Sequence, residues 1–241
     1  MKVFLAGATG VIGRRLAPML VAAGHSVTGT TRSKDKAGEL KALGVEPVVV
    51  DVFDAAALRD ATVAARPNVF INQLTDLPDV IDPAHFAAAL ARNARLRIEG
   101  TPHLVAAARA GGARRLIAQS IAFSYAEGSE PHSEDDPLVA ADGDAPGAVS
   151  ARGVRALEAA TLDAPGIDSI VLRYGRLYGP GTWNTPNARA PLHVDAAAHA
   201  AVLALTRGRP GIYNIAEDDG AVAIQKARAE LGFDPAFRWP A

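Results

Sequence analysis

Three glycines near the start of the chain have the spacing of a phosphate-binding turn. The apolar run Lys2 to Ala6 ends in Gly7, Gly10 and Gly13, and the helical pattern Val11 to Ala23 follows. The first glycine permits a tight turn, the second lets the backbone approach a phosphate, and the third lets the helix pack close to the strand. Free N–H groups and the helix dipole would then face a pyrophosphate. The motif predicts a dinucleotide site that also includes Thr9, Val11 and Ile12.

The residues after the second apolar run favour a phosphate on the adenosine ribose. The sequence there reads Thr31, Arg32 and Ser33, where NAD-preferring proteins usually have a carboxylate for the ribose hydroxyls. Arginine and serine can bind a 2′-phosphate through hydrogen bonds, whereas a carboxylate would repel it. The sequence thus predicts NADP(H) in preference to NAD(H). Alternatively, Arg32 lies in a surface loop and Ser33 only caps the next helix.

An acidic residue closes the third apolar run. Asp51 precedes Val52, and its carboxylate can accept a hydrogen bond from an adenine amino group. We therefore include both residues in the predicted cofactor site. Alternatively, the acidic residues of this turn are explained by an N-cap of the next helix near Asp54.

The elements that must position these residues alternate along the chain. Short apolar runs, partly β-branched, alternate with longer helical patterns, which predicts a parallel sheet with helices on both faces. A kink or break is expected near Gly100, where Thr101 could cap a new helix before Pro102. The predicted strands are 2–6, 26–30, 47–50, 69–72, 115–118, 169–173 and 211–215, and the predicted helices are 11–23, 34–43, 55–65, 83–110, 148–162 and 221–231.

The whole chain has the balance of an ordinary globular protein. Of its 241 residues, 49% are hydrophobic and 21% charged, and the formal net charge is -1. This balance gives no indication of nucleic-acid or membrane partners, and no apolar run approaches the roughly 18 residues of a membrane span. The absence of cysteine excludes disulfides and fits a reducing cytoplasm. No metal-ligand spacing is evident, and the length indicates a single domain over residues 1–241.

Irregular segments follow several predicted strands. Ligands of open α/β sheets bind outside the carboxyl ends of the strands, so these segments are the expected substrate-facing elements. The acidic stretch within the first of them could instead be a solvated loop. The substrate-facing elements are predicted at about 121–147, 174–195 and 210–241.

Several motifs together resemble the extended short-chain dehydrogenase/reductases, specifically the NAD(P)-dependent epimerase/dehydratase family. The resemblance covers nearly the whole chain and implies a Rossmann-type doubly wound parallel sheet with a small C-terminal substrate region, here shortened after Thr182. It also implies hydride chemistry on alcohols, ketones or nucleotide sugars. The motifs are the glycine loop 7–13, Asp51, Glu99-Gly100-Thr101, Ala118-Gln119-Ser120, Leu172 to Gly181 and His193-Val194-Asp195.

The resemblance also assigns residues to the site. It implies that Asn72, Gln73 and Leu74 line the cofactor after the fourth strand and that Ser120 lies near the nicotinamide. His193 and Asp195 are interpreted as structural, with Asp195 capping a helix or interacting with its dipole. A homodimer through the helical segments 83–110 and 148–162 is a further implication.

The catalytic residues of the family are missing. Active members have a Tyr that transfers a proton and a Lys four residues later, and these positions are Ser150 and Val154 here. Ile121 takes the place of the usual catalytic Ser or Thr, and Arg97 that of a proton-relaying Asn. Any remaining chemistry must therefore use other groups.

Three hydroxyl groups are the candidates for that chemistry. Tyr125 is at the position of a family Tyr near the substrate, and its phenol could protonate a carbonyl oxygen that receives hydride. Tyr174, at the end of the sixth strand, is an alternative, for which the nearby Tyr178 could substitute, and Ser120 is the third candidate.

Three functions are consistent with these residues. The first is an atypical NADPH-dependent oxidoreductase acting on a small metabolite. The second is a non-hydride cyclase, isomerase or dehydratase on the same scaffold, and the third is a non-catalytic NADP(H)-sensing protein. Fold alone does not separate them.

Overall fold

Seven parallel strands form the central sheet of the computed structural model, which describes residues 1–78, 80 and 82–240. They are β1 (Lys2–Ala6), β2 (Ser26–Thr31), β3 (Glu46–Val49), β4 (Val69–Asn72), β5 (Arg115–Ile121), β6 (Asp168–Tyr174) and β9 (Gly211–Ile215). Their order is β3-β2-β1-β4-β5-β6-β9. The direction of winding therefore reverses between β1 and β4, which opens a crevice at the carboxyl ends of these strands.

Helices cover both faces of this sheet. They are α1 (Gly13–Ala22), α2 (Lys34–Ala42), α3 (Ala55–Ala65), α4 (Pro83–Arg95), α5 (Thr101–Ala110), α6 (Pro146–Leu162) and α7 (Val194–Leu203). α1 and α7 pack together on one face, whereas α3, α5 and α6 cover the other and α4 packs against α6. The doubly wound parallel α/β fold predicted from the sequence is confirmed.

Side-chain caps begin two of the helices at the expected residues. The Ser33 hydroxyl accepts a hydrogen bond from the Lys36 N–H at the start of α2, and the Asp54 carboxylate accepts one from the Ala57 N–H at the start of α3. Each cap satisfies an N–H group that has no partner within its helix. Both expected caps are therefore confirmed.

The predicted helix over 83–110 is continuous but irregular. A π-helical turn at Leu96–Gly100 joins α4 to α5, and Thr101 has helical dihedral angles rather than those of a new cap. The expectation that Thr101 caps a new helix is therefore wrong. Pro102 has no N–H for the preceding turn, and the wider π turn accommodates this loss without ending the helix.

The predicted helix over 221–231 is wrong in its first half. Residues 221–224 are not helical, and Val222 forms a β-bridge with His132. The helical part begins at Gln225 and becomes a π-helical turn at Ala227–Leu231. Pairing with a distant segment outweighs the local helix propensity here. The other predicted elements differ from the observed ones by a few residues at their ends.

A small region lies beyond the carboxyl ends of β5 and β6. It contains the parallel pair β7 (Arg176–Tyr178) and β8 (Pro191–His193) together with the loops 122–145 and 216–224. It includes most of the predicted substrate-facing elements, although Ala241 lies outside the described residues. In the described part of the chain, no helix is both long and apolar enough to cross a membrane.

Candidate functional site

The glycine loop forms the turn between β1 and α1. Gly7 has φ +87°, which favours glycine, and its N–H donates to the Thr30 hydroxyl on β2. A Cβ added at Gly13 would lie 2.1 Å from the Gly7 carbonyl oxygen, so only glycine allows the helix to start this close to the strand. Both features are those expected of a phosphate-binding turn.

The open side of this loop fits a pyrophosphate. A Cβ at Gly10 would meet only the Gly7 carbonyl oxygen, at 3.4 Å, so the backbone is accessible from the crevice. The N–H groups of Val11 and Ile12 donate to no acceptor among the described residues, and the first turn of α1 contains no acidic residue. Free donors at the positive end of a helix suit a negatively charged group.

The part of the crevice where the sequence predicts the adenosine of a dinucleotide combines hydroxyl groups with two arginines. The Thr31 hydroxyl accepts from the Ser33 N–H and lies 3.5 Å from the Thr9 hydroxyl. Arg32 is mostly exposed and lies 3.6 Å from the Asp76 carboxylate, which is also 3.8 Å from Arg92. One carboxylate is therefore shared by two guanidinium groups, and this cluster keeps a net positive charge.

Asp51 and Val52 lie just beyond β3, where the Val50 N–H donates to the Thr31 carbonyl of β2. One carboxylate oxygen of Asp51 accepts from the Phe53 N–H at 2.9 Å, and this bond fixes the turn toward α3. Val52 is buried, and its carbonyl accepts a hydrogen bond from the His103 ring. The exposed Asp51 side chain keeps further acceptor capacity for a ligand.

The residues after β4 form the floor of the crevice. The Asn72 side chain accepts from the Leu74 N–H, and the Gln73 amide donates to the Tyr174 hydroxyl at 3.2 Å. The Gln73 side-chain oxygen is buried and has no hydrogen-bond partner among the described residues. Burial raises the pKa of Tyr174, so its phenol stays protonated.

Ser120 and Tyr125 belong to one buried polar network. Glu158 accepts a hydrogen bond from the Ser120 hydroxyl at 2.7 Å and pairs with Arg173 through both of its oxygens. Arg173 also donates to the Tyr125 hydroxyl, which in turn donates to Asn214 at 2.6 Å. Buried ion pairs of this kind are retained only when their remaining groups are satisfied, as they are here.

The network determines the protonation of its members. Burial raises the pKa of Tyr125, and the neighbouring Arg173 offsets only part of this effect. For Arg173, burial alone would lower the pKa, but the Glu158 carboxylate raises it. At neutral pH, Tyr125 is therefore a neutral phenol whose proton is directed at Asn214.

Ser150 and Val154, which the resemblance assigns to the positions of the family's Tyr and Lys, lie on α6, where it packs against α4. Val154 is fully buried, and a Cβ at Gly153 would lie 2.9 Å from the Ala94 Cα. Arg97, on the π-helical turn, is buried beside them, and its Nε has no hydrogen-bond partner among the described residues. Burial lowers the pKa of Arg97 to about 10, with partial opposition from Glu158.

A cavity of roughly 300 Å³ opens beside the ends of β5 and β6. The Arg176 guanidinium stacks on the Phe123 ring, 4.3 Å from its centroid, and forms no ion pair with a described carboxylate. Arg189 also lines the cavity but is paired with Glu130. Of the three candidate hydroxyl groups, that of Tyr125 is on a residue that lines the cavity. The cavity thus combines an aromatic surface with an available cation.

His193 and Asp195 hold the start of α7. The His193 ring accepts a hydrogen bond from the Asp195 N–H, so His193 is the N-cap and Asp195 lies in the first turn. Asp195 also lies 3.3 Å from the Arg15 guanidinium. The expected structural role of the pair is supported, but the capping residue is His193 rather than Asp195.

Sequence reasoning missed several arginines of the site. Arg92 and Arg176 reach it through contacts between distant segments, and no local spacing marks them. In the sequence Arg97 is marked only by its departure from the family pattern, and no local pattern indicates that it is buried. Among the described residues, no group of three or more His, Cys, Asp or Glu side chains could hold a metal ion.

Comparison with known proteins identifies the family and supports the fold. A family model described as NAD(P)H-binding matches residues 7–190. The chain is 41% identical over 248 residues to a 3-diazoavenalumate denitrifying reductase of a Streptomyces species, a match that covers 93% of this chain and 79% of the relative. It is 31% identical over 175 residues to a dTDP-4-dehydrorhamnose reductase of Streptomyces griseus, which covers 73% of this chain but only 49% of that relative.

Solved structures of epimerases and dehydratases share the fold. UDP-glucose 4-epimerase of Thermotoga maritima aligns with a TM-score of 0.78 at 17% identity, covering 99% of this chain and 94% of its own. dTDP-glucose 4,6-dehydratase of Streptomyces venezuelae aligns with a TM-score of 0.77 at 17% identity, covering 99% and 93%. The chain therefore belongs to the NAD(P)H-binding family and has the Rossmann-type fold of the NAD-dependent epimerases and dehydratases.

Proposed function

We propose that this protein is a reductase that uses NADPH in preference to NADH and acts on a small, strongly electrophilic metabolite. The observation that carries the proposal is the 41% identity to a denitrifying reductase along 93% of the chain. The open phosphate-binding loop supports dinucleotide binding. The Arg32 and Arg92 pair supports a 2′-phosphate, because guanidinium groups bind phosphate through paired hydrogen bonds.

The missing Tyr and Lys favour an acceptor that needs no acid catalyst. Reduction of a ketone requires a proton for the oxygen that receives the negative charge. The relative's name instead describes reduction with loss of nitrogen from a diazo compound. When bound, NADPH supplies the hydride, so that R–N₂⁺ + NADPH gives R–H + N₂ + NADP⁺. This reaction forms no alkoxide and so needs no proton donor. Ser150 and Val154 in place of the family's Tyr and Lys are compatible with it.

The cavity favours an aromatic substrate that carries a carboxylate. Phe123 and Tyr125 supply aromatic surface, and the Arg176 guanidinium is available because it pairs with no described carboxylate. A carboxylate that binds Arg176 would place the ring of the substrate against these side chains. The name of the relative's substrate is that of a carboxylate as well.

Among the candidate hydroxyl groups, we propose that Tyr125 lies nearest to the substrate because it lines the cavity. Its proton is directed at Asn214, and donation to a substrate would require this bond to open. Ser120 and Tyr174 are bonded to Glu158 and Gln73, and both are buried. Carbonyl reduction through these groups is therefore expected to be slow.

One observation favours a second candidate function. Because the hydroxyl groups of Ser120, Tyr125 and Tyr174 are all engaged within the protein, a cofactor-binding protein without hydride transfer has the same site. A cyclase, isomerase or dehydratase that uses no hydride also belongs to this alternative.

The experiment compares substrates under identical conditions. The protein is mixed with NADPH and an aryl diazonium carboxylate, and NADPH absorbance and N₂ release are followed together, with a ketone of the same size as the control substrate. We expect equal amounts of oxidised NADPH and N₂ with the diazonium compound and much slower oxidation with the ketone. Tight NADPH binding without oxidation by either compound would overturn the reductase proposal and favour the second candidate.

We also propose that the helical segments 83–110 and 148–162 form a homodimer interface, as the family resemblance implies. Light scattering during size-exclusion chromatography measures the molar mass directly. A mass of one chain at micromolar concentration would contradict this proposal.

A further inference from the structure

Arg97 is a buried cation without an ion-pair partner. Its residue exposure is 3%, and its Nε has no hydrogen-bond partner among the described residues. No described carboxylate forms an ion pair with it. Removing a charge from water without a partner is costly, so a buried guanidinium of this kind calls for an explanation.

The nearest acidic group is largely occupied by other donors. Glu158 raises the pKa of Arg97 by its charge, but its two oxygens already accept three hydrogen bonds from Ser120 and Arg173. Glu158 is therefore near enough to influence Arg97 but forms no hydrogen bond or ion pair with it. A ligand or solvent has to supply the acceptors for the guanidinium.

The local structure makes room for this side chain. Arg97 lies on the π-helical turn, a feature often found at functional sites. A Cβ at Gly153 on α6 would lie 3.4 Å from the Arg97 Cδ, so the glycine leaves space for the arginine as well as for Ala94.

Arg97 lies toward the half of the crevice where the nicotinamide half of a dinucleotide would bind. The phosphate-binding loop follows β1, and the adenosine residues follow β2 and β3, so the nicotinamide half of a dinucleotide extends over β4 and β5. Arg97 lies against Gly153 of α6 and close enough to Glu158 to feel its charge, and Glu158 in turn accepts a hydrogen bond from Ser120 on β5. The two arginines of α6 are used elsewhere, because Arg152 and Arg155 donate to carbonyls of the loop 138–143.

We propose that the Arg97 guanidinium binds the hydroxyl oxygens of the ribose in the nicotinamide half of NADP. The inference rests on the proposed cofactor and adds a residue that determines how its reactive half is held. Ribose hydroxyls supply the acceptors that Arg97 lacks, and the buried surroundings strengthen such bonds. Arg97 is thus a binding residue for the cofactor.

The test separates the two halves of the cofactor by calorimetry. Wild type and Arg97→Met are titrated with NADPH, with 2′-phospho-ADP-ribose, which keeps the second ribose, and with adenosine 2′,5′-bisphosphate, which lacks it. We expect Arg97→Met to weaken binding of the first two ligands by about tenfold to a hundredfold, the range of a charge-assisted hydrogen bond. Binding of adenosine 2′,5′-bisphosphate should be unchanged.

Stability provides the second readout. Burial disfavours the charged form of Arg97, so replacement by the apolar Met should leave the urea midpoint of the free protein unchanged or raise it. A structural arginine would give the opposite pattern, with a lower midpoint and equal losses for all three ligands. Either that pattern or unchanged NADPH binding would overturn the proposal.

A second variant retains the positive charge. Arg97→Lys places an ammonium group in the same space without the planar fork of arginine, so NADPH affinity should lie between those of wild type and Arg97→Met. Equal affinities of Arg97→Lys and Arg97→Met would contradict the role of the charge. None of these measurements depends on turnover, so a failed reductase assay leaves the test of Arg97 intact. If NADH binds more tightly than NADPH, NADH and AMP are used in place of NADPH and adenosine 2′,5′-bisphosphate.

Discussion

Arg32 and Arg92 come from different elements, and the Asp76 carboxylate holds them together where the adenosine of the proposed cofactor would bind. The three side chains carry a net positive charge, and Arg32 is 65% exposed, so it can reorient toward a ligand. A 2′-phosphate would compete with Asp76 for Arg32 and gain two guanidinium partners. A ribose without the phosphate offers no negative charge to these two guanidinium groups, and this difference is the physical basis of the proposed preference for NADPH.

Arg32→Ala should therefore weaken NADPH binding by about tenfold or more while changing NADH binding little, because a charged hydrogen bond contributes about 1.5–3 kcal/mol. Fluorescence titration with both nucleotides measures the effect. Arg109→Ala is the matched control, since Arg109 lies in the last turn of α5, just before β5, and therefore beside the amino ends of the strands. Equal losses for the two nucleotides would contradict the role of Arg32.

Arg176 allows a similar test at the substrate end. Arg176→Met should raise the KM for a carboxylate substrate by about tenfold, leave kcat nearly unchanged, and have little effect on the methyl ester of the same substrate. Steady-state kinetics with the acid and the ester measure this difference. Arg189→Met is the comparison, because Arg189 is already paired with Glu130 and should contribute less. An equal effect on acid and ester would exclude a carboxylate partner.

The residues of the site differ in how well sequence alone predicts them. Gly7 and Gly13 are recognised from local spacing, because the backbone geometry that requires each glycine arises within a turn of a few residues. Arg92 and Arg176 act through contacts with Asp76 and Phe123, which depend on how distant segments fold together. For Tyr125, the sequence indicates a position near the substrate but not the hydrogen bond to Asn214 that directs its proton.

At the scale of elements, the crossing of α4 and α6 shapes the centre of the site. Gly153 lets the backbones approach closely, and the π-helical turn places Arg97 beside the crossing. The alternation of apolar and helical patterns predicts both helices, but neither the π turn nor the close crossing follows from periodicity. These features arise from tertiary packing, as does the pairing of Val222 with His132 that replaces the start of the predicted last helix.

Two alanine substitutions in α6 should have opposite effects on stability. Gly153→Ala places a methyl group 2.9 Å from the Ala94 Cα, and overpacking of this kind costs about 1–3 kcal/mol. Gly147→Ala meets no heavy atom within 4 Å and should stabilise the protein by about 0.4–1 kcal/mol. Urea unfolding of both variants measures the difference. A Gly153→Ala variant as stable as wild type would show that the helices can separate at little cost.

At the scale of the whole molecule, the winding of the sheet explains where the cofactor residues meet. The residues predicted to bind the cofactor follow β1, β2, β3 and β4, which are neighbours in the sheet. Because these strands are parallel, their carboxyl ends lie at the same end of the sheet. The alternating pattern predicts a parallel sheet and its crevice without specifying every neighbour. The cofactor would therefore contact segments from much of the chain, and its binding should stabilise the whole fold.

NADPH at a hundred times its dissociation constant should stabilise the folded state by about 2.7 kcal/mol. For a protein of this size, that corresponds to a rise in Tm of roughly 5–10 °C. NADH at the same concentration should give a smaller rise because it lacks the 2′-phosphate. Scanning calorimetry with each nucleotide measures both shifts.

Gly10→Ala is the matched variant for this measurement. A Cβ at Gly10 meets only the Gly7 carbonyl oxygen, at 3.4 Å, so the Tm without ligand should change little. The same Cβ would project into the space through which a phosphate approaches the backbone, and the rise produced by NADPH should largely disappear. An undiminished rise in Gly10→Ala would mean that the nucleotide binds away from the loop, and the site would then have to be sought elsewhere along the crevice.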